Sequence, residues 1–81
     1  MKSSEILLSL DYENLEVFKN PGGICVMYKG AYVKSGIALI GEYGVGVDFE
    51  SACDDYLNKI RGKKLVFNAY DDNRKEIIML G

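Results

Sequence analysis

One amphipathic segment, residues 49–60, constrains the fold of this chain more than any other feature. Its apolar side chains recur at helical spacing and form one stripe: Phe49, Ala52, Cys53, Tyr56, Leu57 and Ile60. Asp48 is suited to cap the N-terminus, and Gly62 is suited to end the helix in a left-handed conformation. Glu50 and Lys59 carry the charges that the two ends of a helix dipole favour. The pattern predicts a helix that packs this stripe against a sheet.

Two strands are predicted after this helix. Leu65–Ala69 alternates, with Leu65, Phe67 and Ala69 on one face, and Lys75–Leu80 contains a second apolar run. The polar residues 70–73 between them form a turn cluster. Because the separation is short, we expect the two strands to form an antiparallel hairpin.

Three further strands are predicted before the helix, as a meander: Ile24–Lys29, Ala31–Lys34 and Ile37–Tyr43. Turns at residues 29–30 and 35–36 separate them. Residues 41–46 contain three glycines, but their spacing matches neither pattern of a phosphate-binding loop, and acidic side chains surround them. A twisted or bulged strand that enters a tight turn is therefore the favoured interpretation.

The N-terminal segment predicts a short helix and then a strand. Ser4 is placed to cap a helix over Glu5–Leu10, whose inward side chains are Ile6, Leu7 and Leu10. Leu15–Phe18 alternates like a strand, and the Asn-Pro-Gly-Gly sequence at residues 20–23 ends it.

Together these elements predict an α+β fold in a single domain over residues 1–81. Its core architecture is an antiparallel β-sheet with one or two helices packed on one face, in the approximate order α-β-β-β-α-β-β. The composition, 48% hydrophobic and 27% charged, is ordinary for a globular protein. A chain this short buries only about two-thirds of the surface that its unfolded form exposes, so a homodimer is a natural way to bury more.

Charge and hydropathy limit the location and the partners. Ten basic and twelve acidic residues give a net charge of −2, which argues against attraction of the whole surface to nucleic acid or to an anionic membrane. No apolar run approaches the roughly 18 residues that cross a bilayer, and the N-terminal sequence lacks the pattern of a signal peptide. We expect a cytoplasmic protein without membrane contact. Cys25 and Cys53 are expected to be reduced core residues, with a disulfide as the less favoured alternative.

Catalysis has little support in this sequence. It contains no histidine, so the commonest general base is missing and a zinc site of the usual Cys/His kind is excluded. The acidic pair Asp54-Asp55 points in diverging directions from a helix, and Asp71-Asp72 lies in a predicted turn. We therefore predict no enzyme, no metal site and no cofactor.

Two surfaces are candidates for binding. Tyr28 and Tyr32 flank the predicted turn that contains Lys29, and these three residues would suit contact with a protein partner, although cross-strand packing explains the tyrosines equally well. The alternative is a nucleic-acid-binding cluster after the helix and in the C-terminal hairpin: Arg61, Lys63, Lys64, Tyr70 and Arg74. Complementation of the helix dipole and ordinary solvated charge also account for these basic residues.

Residues 44–60, a glycine-containing strand end followed by the helix, resemble a junction in small domains with three strands and then a helix. HicB-like antitoxin domains share it, and double-stranded-RNA-binding domains share the topology, although Asp48 and Glu50 replace the basic residues that contact RNA there. A closer resemblance, over residues 44–78, is to small proteins encoded in phages and prophages. Its motifs are residues 60–69 and the segment 72–77, Asp-Asn-Arg-Lys-Glu-Ile. It implies a phage or prophage context.

The combined hypothesis is an accessory protein of phage or prophage type that acts as a small protein-interaction module. Its partner would be a protein, such as a host factor, or a second copy of the chain. A weak nucleic-acid-binding module is the alternative hypothesis.

Overall fold

The computed structural model describes residues 2–79 of the chain, which form two helices and seven strands. The helices are α1 (Ser3–Leu10) and α2 (Phe49–Ile60). The strands are β1 (Leu15–Asn20), β2 (Gly23–Tyr28), β3 (Ala31–Ser35), β4 (Ala38–Ile40), β5 (Gly44–Gly46), β6 (Lys64–Phe67) and β7 (Lys75–Ile78). The α+β class is confirmed. The strand predicted over Ile37–Tyr43 is shorter, since β4 covers only Ala38–Ile40, and β5 follows it as a separate strand over Gly44–Gly46.

The strands form two antiparallel sheets, where the sequence predicted one. Sheet A has the order β1-β2-β5, and sheet B has the order β4-β3-β6-β7. The expected meander breaks between β2 and β3, because β1 and β5 already occupy both edges of β2. The chain therefore leaves sheet A through the turn at Lys29 and Gly30, where Gly30 has a φ of 71°, and enters sheet B.

Helix α2 has the bounds and the ends predicted for it. The Asp48 side chain accepts a hydrogen bond from the Ser51 N–H at 2.8 Å, and the Ser51 hydroxyl accepts one from the Asp48 N–H at 3.2 Å. These reciprocal bonds satisfy two backbone donors at the helix start. The pKa of Asp48 is lowered by the Ser51 N–H and by the Ser51 hydroxyl, which donates to Asp48 Oδ1 at 2.8 Å. Gly62, with a φ of 75°, follows the last turn, as expected for a terminating glycine.

Helix α1 begins two residues earlier than predicted, at Ser3 and not at Glu5, and the expected cap at Ser4 is wrong. The N-cap is Lys2, whose side chain makes no capping hydrogen bond. Ser4 instead lies in the first turn and donates to the Glu50 carboxylate twice, from its N–H at 3.0 Å and from its hydroxyl at 2.5 Å. Glu50, in the first turn of α2, thus satisfies a free donor of α1 and joins the two helices. These bonds lower the pKa of Glu50.

The core lies between the two sheets and the helices. Its buried members include Leu7 of α1, five of the six stripe residues of α2 and the inward residues of both sheets: Val26, Tyr28, Ala31, Val33, Leu65 and Phe67. Phe49, the first residue of the predicted stripe, is partly buried and packs against this core. Ile6 and Leu10 pack against this cluster, which confirms the inward face predicted for α1. The hairpin of β6 and β7 is also confirmed, although Leu80, the predicted end of its second strand, lies outside the described residues.

Both cysteines are free and buried, as predicted. Burial raises the pKa of the Cys53 thiol to about 11, with a further contribution from Glu50 and Asp54. No helix within residues 2–79 has the length and apolar character required to cross a membrane.

Candidate interaction surface

The predicted partner-binding cluster is divided by the structure, because Tyr28 belongs to the core. Its side chain is fully buried, and its hydroxyl donates to the Leu7 carbonyl oxygen at 2.5 Å. Its ring lies 5.6 Å from that of Tyr56 and 5.4 Å from that of Phe67. Tyr28 is therefore unable to contact a partner, and its inclusion in a surface site was wrong. The physical reason is its position two residues after the buried Val26, on the same face of β2.

Lys29, in the turn into sheet B, and Tyr32, in β3 just after it, remain accessible. Lys29 is exposed and Tyr32 is half-buried. The Tyr32 ring meets Tyr70 edge-on, with 6.3 Å between centroids. One aromatic residue from each predicted site is thus brought together on sheet B.

The predicted basic cluster is partly neutralised by Glu76. Lys64 Nζ lies 3.2 Å from one carboxylate oxygen of Glu76, and Arg74 donates to the other at 2.8 Å. Both pairs lower the pKa of Glu76. Arg61 and Lys63 are exposed. Two of the four predicted phosphate-binding cations therefore already have a carboxylate partner.

A second exposed surface, not predicted from the sequence, lies on sheet A, on the side away from α2. A Cβ added to Gly44 would meet the backbone N and the Cβ of Tyr56 at 2.5 Å, so β5 turns its glycines towards the helix. Val45, between Gly44 and Gly46, consequently faces away from α2. It forms a cross-strand row with Cys25 and Phe18, its successive partners in the register. We call this side of sheet A the free face.

The free face is apolar and open to solvent. Phe18 is 45% exposed and Val45 is 48% exposed, while Cys25 between them is buried. Val47, 85% exposed, continues the apolar surface beyond β5. It borders a cleft of about 360 Å³ between β5 and the turn that joins β1 to β2. Clustered exposed apolar side chains of this kind are typical of interaction surfaces.

The outer edge of β1 is open. The Lys29 N–H donates to the Asn14 carbonyl oxygen at 2.7 Å, which extends the ladder between β1 and β2 by one pair. Hydrogen-bonded pairs alternate along an antiparallel ladder, so the even-numbered residues of β1 bond to β2. The backbone groups of Leu15, Val17 and Lys19 therefore point outward, and no strand of residues 2–79 pairs with them.

The opposite edge of sheet A is closed by α2. The Val45 N–H, which points away from β2, donates to Asp55 Oδ2 at 2.9 Å. Lys59 Nζ donates to the Tyr43 carbonyl oxygen at 2.9 Å and lies 3.0 Å from Asp55 Oδ2. The Val45 N–H and Lys59 lower the pKa of Asp55. Side chains thus occupy the groups that another strand would need.

Within residues 2–79, no group of three or more Cys, Asp or Glu side chains is arranged to hold a metal ion. Comparisons with protein-family models, curated proteins and solved structures gave no match.

Phe18 and Val45 were missed because each looks like an ordinary strand residue. The Gly44-Val45-Gly46 pattern contained the signal, since two small residues around an apolar one indicate a strand with a helix against one face only.

Proposed function

We propose that this protein is a small protein-interaction module whose contact surface is the free face of sheet A together with the open edge of β1. The observation that carries the proposal is the apolar cross-strand row on the side of sheet A away from α2, in which Phe18 and Val45 are half-exposed on either side of the buried Cys25. This apolar row lies beside backbone donors and acceptors of β1 that are unpaired within residues 2–79. A polypeptide ligand suits such a surface, because it supplies both apolar side chains and backbone hydrogen-bonding groups.

The resemblance of residues 44–78 to small phage and prophage proteins supports an accessory role in that context, with a host protein as a partner class. Two free, buried thiols are compatible with the cytoplasm, where we place the protein.

Affinity capture of the tagged protein from a bacterial lysate, read by mass spectrometry, tests the proposal. We expect Phe18→Ser to reduce recovery of a captured protein at least tenfold. Ile37→Ser is the matched control, because Ile37 is fully exposed in the turn before β4 of sheet B, and it should leave recovery unchanged. Equal recovery with both variants would contradict the assignment of the free face.

The turn predicted from sequence is tested in the same experiment. Lys29→Glu and Tyr32→Ala change its two accessible residues and leave sheet A intact. The proposal expects unchanged capture by these two variants. A loss confined to them would move the contact surface to the turn.

Nucleic-acid binding is the weaker alternative, since Glu76 already pairs with Lys64 and Arg74. It predicts an affinity that falls steeply with salt, because bound phosphates release counterions. It also predicts that nuclease treatment of the lysate abolishes recovery. Recovery that survives nuclease would support the interaction module.

A further inference from the structure

We infer that the open edge of β1 binds a second copy of the chain, in an antiparallel register centred on Val17. This inference rests on the proposed function and specifies one partner of the same surface.

The outward N–H and C=O groups of β1 in one copy can pair with the same groups of β1 in a second copy. They belong to alternate residues, Leu15, Val17 and Lys19, which are symmetric about Val17. A two-fold axis perpendicular to the sheet places Val17 opposite Val17 of the other copy and Leu15 opposite Lys19. Each of the three facing pairs then exchanges two N–H···O bonds. Two three-stranded sheets would become one sheet of six strands.

Charge selects this antiparallel arrangement. The segment has an acidic residue, Glu13, just before β1 and a basic residue, Lys19, near its end, and both are exposed. When Lys19 faces Leu15 of the other copy, Glu13 of that copy, in the turn two residues before Leu15, comes close enough for the two long side chains to meet. The symmetry produces this contact twice. A parallel arrangement would instead bring like charges together.

The side chains at the edge also favour a second copy. Val17 is 48% exposed, and the facing Val17 of another copy would cover it. Phe18, on the opposite side of the strand, would extend the free face across the junction. β1 has six residues and no proline, and no side chain among residues 2–79 bonds to its outer edge. β5, in contrast, has three residues and is closed by Asp55.

A charge-swap experiment tests the inference by sedimentation equilibrium at protein concentrations up to about 1 mM, a range suited to the weak affinity of a small interface. The wild-type chain should show a reversible monomer–dimer equilibrium. Glu13→Lys and Lys19→Glu should each weaken dimerisation at least tenfold, because each variant brings like charges together. An equimolar mixture of the two variants should regain the wild-type affinity, since both pairs between positions 13 and 19 are again of opposite sign.

Lys34→Glu, a charge reversal at an exposed position of sheet B, is the matched control and should dimerise like the wild type. A monomeric wild-type chain over the whole range, or a mixture no tighter than its components, would overturn the inference. That result leaves the proposed function standing if Phe18→Ser still loses a captured protein. If Phe18→Ser also leaves the recovery of captured protein unchanged, both the inferred dimer and the proposed function are contradicted.

Discussion

The Asp55 carboxylate accepts a hydrogen bond from the Val45 N–H at 2.9 Å, and this contact distinguishes the two edges of sheet A. On the β5 side, α2 supplies Asp55 and Lys59 to backbone groups that would otherwise be free. On the β1 side, the backbone groups of three residues remain available. One closed edge and one open edge give a small sheet a single direction in which to add a strand.

Loss of the Asp55 contact should lower stability. Asp55→Ala removes the acceptor for the Val45 N–H and should reduce the free energy of unfolding by about 1 kcal/mol, the usual worth of one hydrogen bond. Urea denaturation measures the change. Asp72→Ala, at an exposed turn position, should differ little from the wild type. Equal effects of the two substitutions would show that Asp55 does not secure this edge.

Removal of the hydroxyl should lower the free energy of unfolding by different amounts at the two buried tyrosines, Tyr28 and Tyr56. The Tyr28 N–H points towards the side of β2 where β5 is too short to reach, and the Tyr56 hydroxyl accepts its hydrogen bond at 3.2 Å. Tyr56→Phe leaves this buried donor unsatisfied and should cost about 1–3 kcal/mol.

Tyr28→Phe is the matched comparison. The Leu7 carbonyl oxygen, which would lose the Tyr28 hydroxyl, still accepts the Asp11 N–H at 3.3 Å. The expected cost is therefore smaller, about 0.5–1.5 kcal/mol. Urea midpoints in the reverse order would contradict these hydrogen-bond assignments.

Gly44 should tolerate no side chain. A Cβ there would lie 2.5 Å from the backbone N of Tyr56, so Gly44→Ala must push α2 away from β5. We expect a loss of at least about 2 kcal/mol, in the range of overpacked cores. Gly41→Ala, where an added Cβ meets nothing within 4 Å, is the control and should fold normally. Thermal unfolding followed by circular dichroism compares them, and similar midpoints would mean that α2 does not rest on β5.

The protein should lose stability in acid, because two of its carboxylates accept hydrogen bonds in the folded state. The pKa of Glu50 is lowered by the Ser4 hydroxyl and N–H, and the pKa of Asp55 by the Val45 N–H and Lys59. Since these folded-state pKa values lie below the unfolded ones, the stabilisation is complete above about pH 4–5 and is lost as the pH falls further.

Urea midpoints measured between neutral and acidic pH test this sign. The wild-type midpoint should be flat above about pH 5 and fall below it. Glu50→Gln and Asp55→Asn should each reduce the decrease of the urea midpoint in acid. A midpoint that rises as the pH drops would contradict the assignment.

Local signals predicted the local parts of this fold. Helix α2 was predicted with both ends, because its stripe, its Asp48 cap and Gly62 all lie within fifteen residues. The hairpin of β6 and β7 was predicted for the same reason. The division into two sheets was not, because it depends on β2 pairing with β5 and β3 with β6, across long stretches of chain. No property of β2 alone indicates which strand will occupy its second edge.

The residues of the candidate site could not be predicted for the same reason, because long-range strand pairing brings them together. Tyr28 was assigned to the surface because a turn follows it, but the position of α2 determines which face of β2 is buried. Phe18 and Val45 come together only through Cys25, in a register that joins three separate segments. The charges of residues 61–64 were recognised, yet the pairing of Lys64 with Glu76 appears only once β6 and β7 are aligned.

Amide hydrogen exchange measured residue by residue in dilute protein tests the central claim, that sheet A has one open and one closed edge. The account predicts fast exchange at Val17, whose N–H points outward from β1, and slow exchange at Phe18, which bonds to β2. It also predicts slow exchange at Val45, whose N–H is held by Asp55, and protection of Val17 that rises with protein concentration. Fast exchange at Val45, or equal protection of Val17 and Phe18 in the dilute monomer, would contradict it.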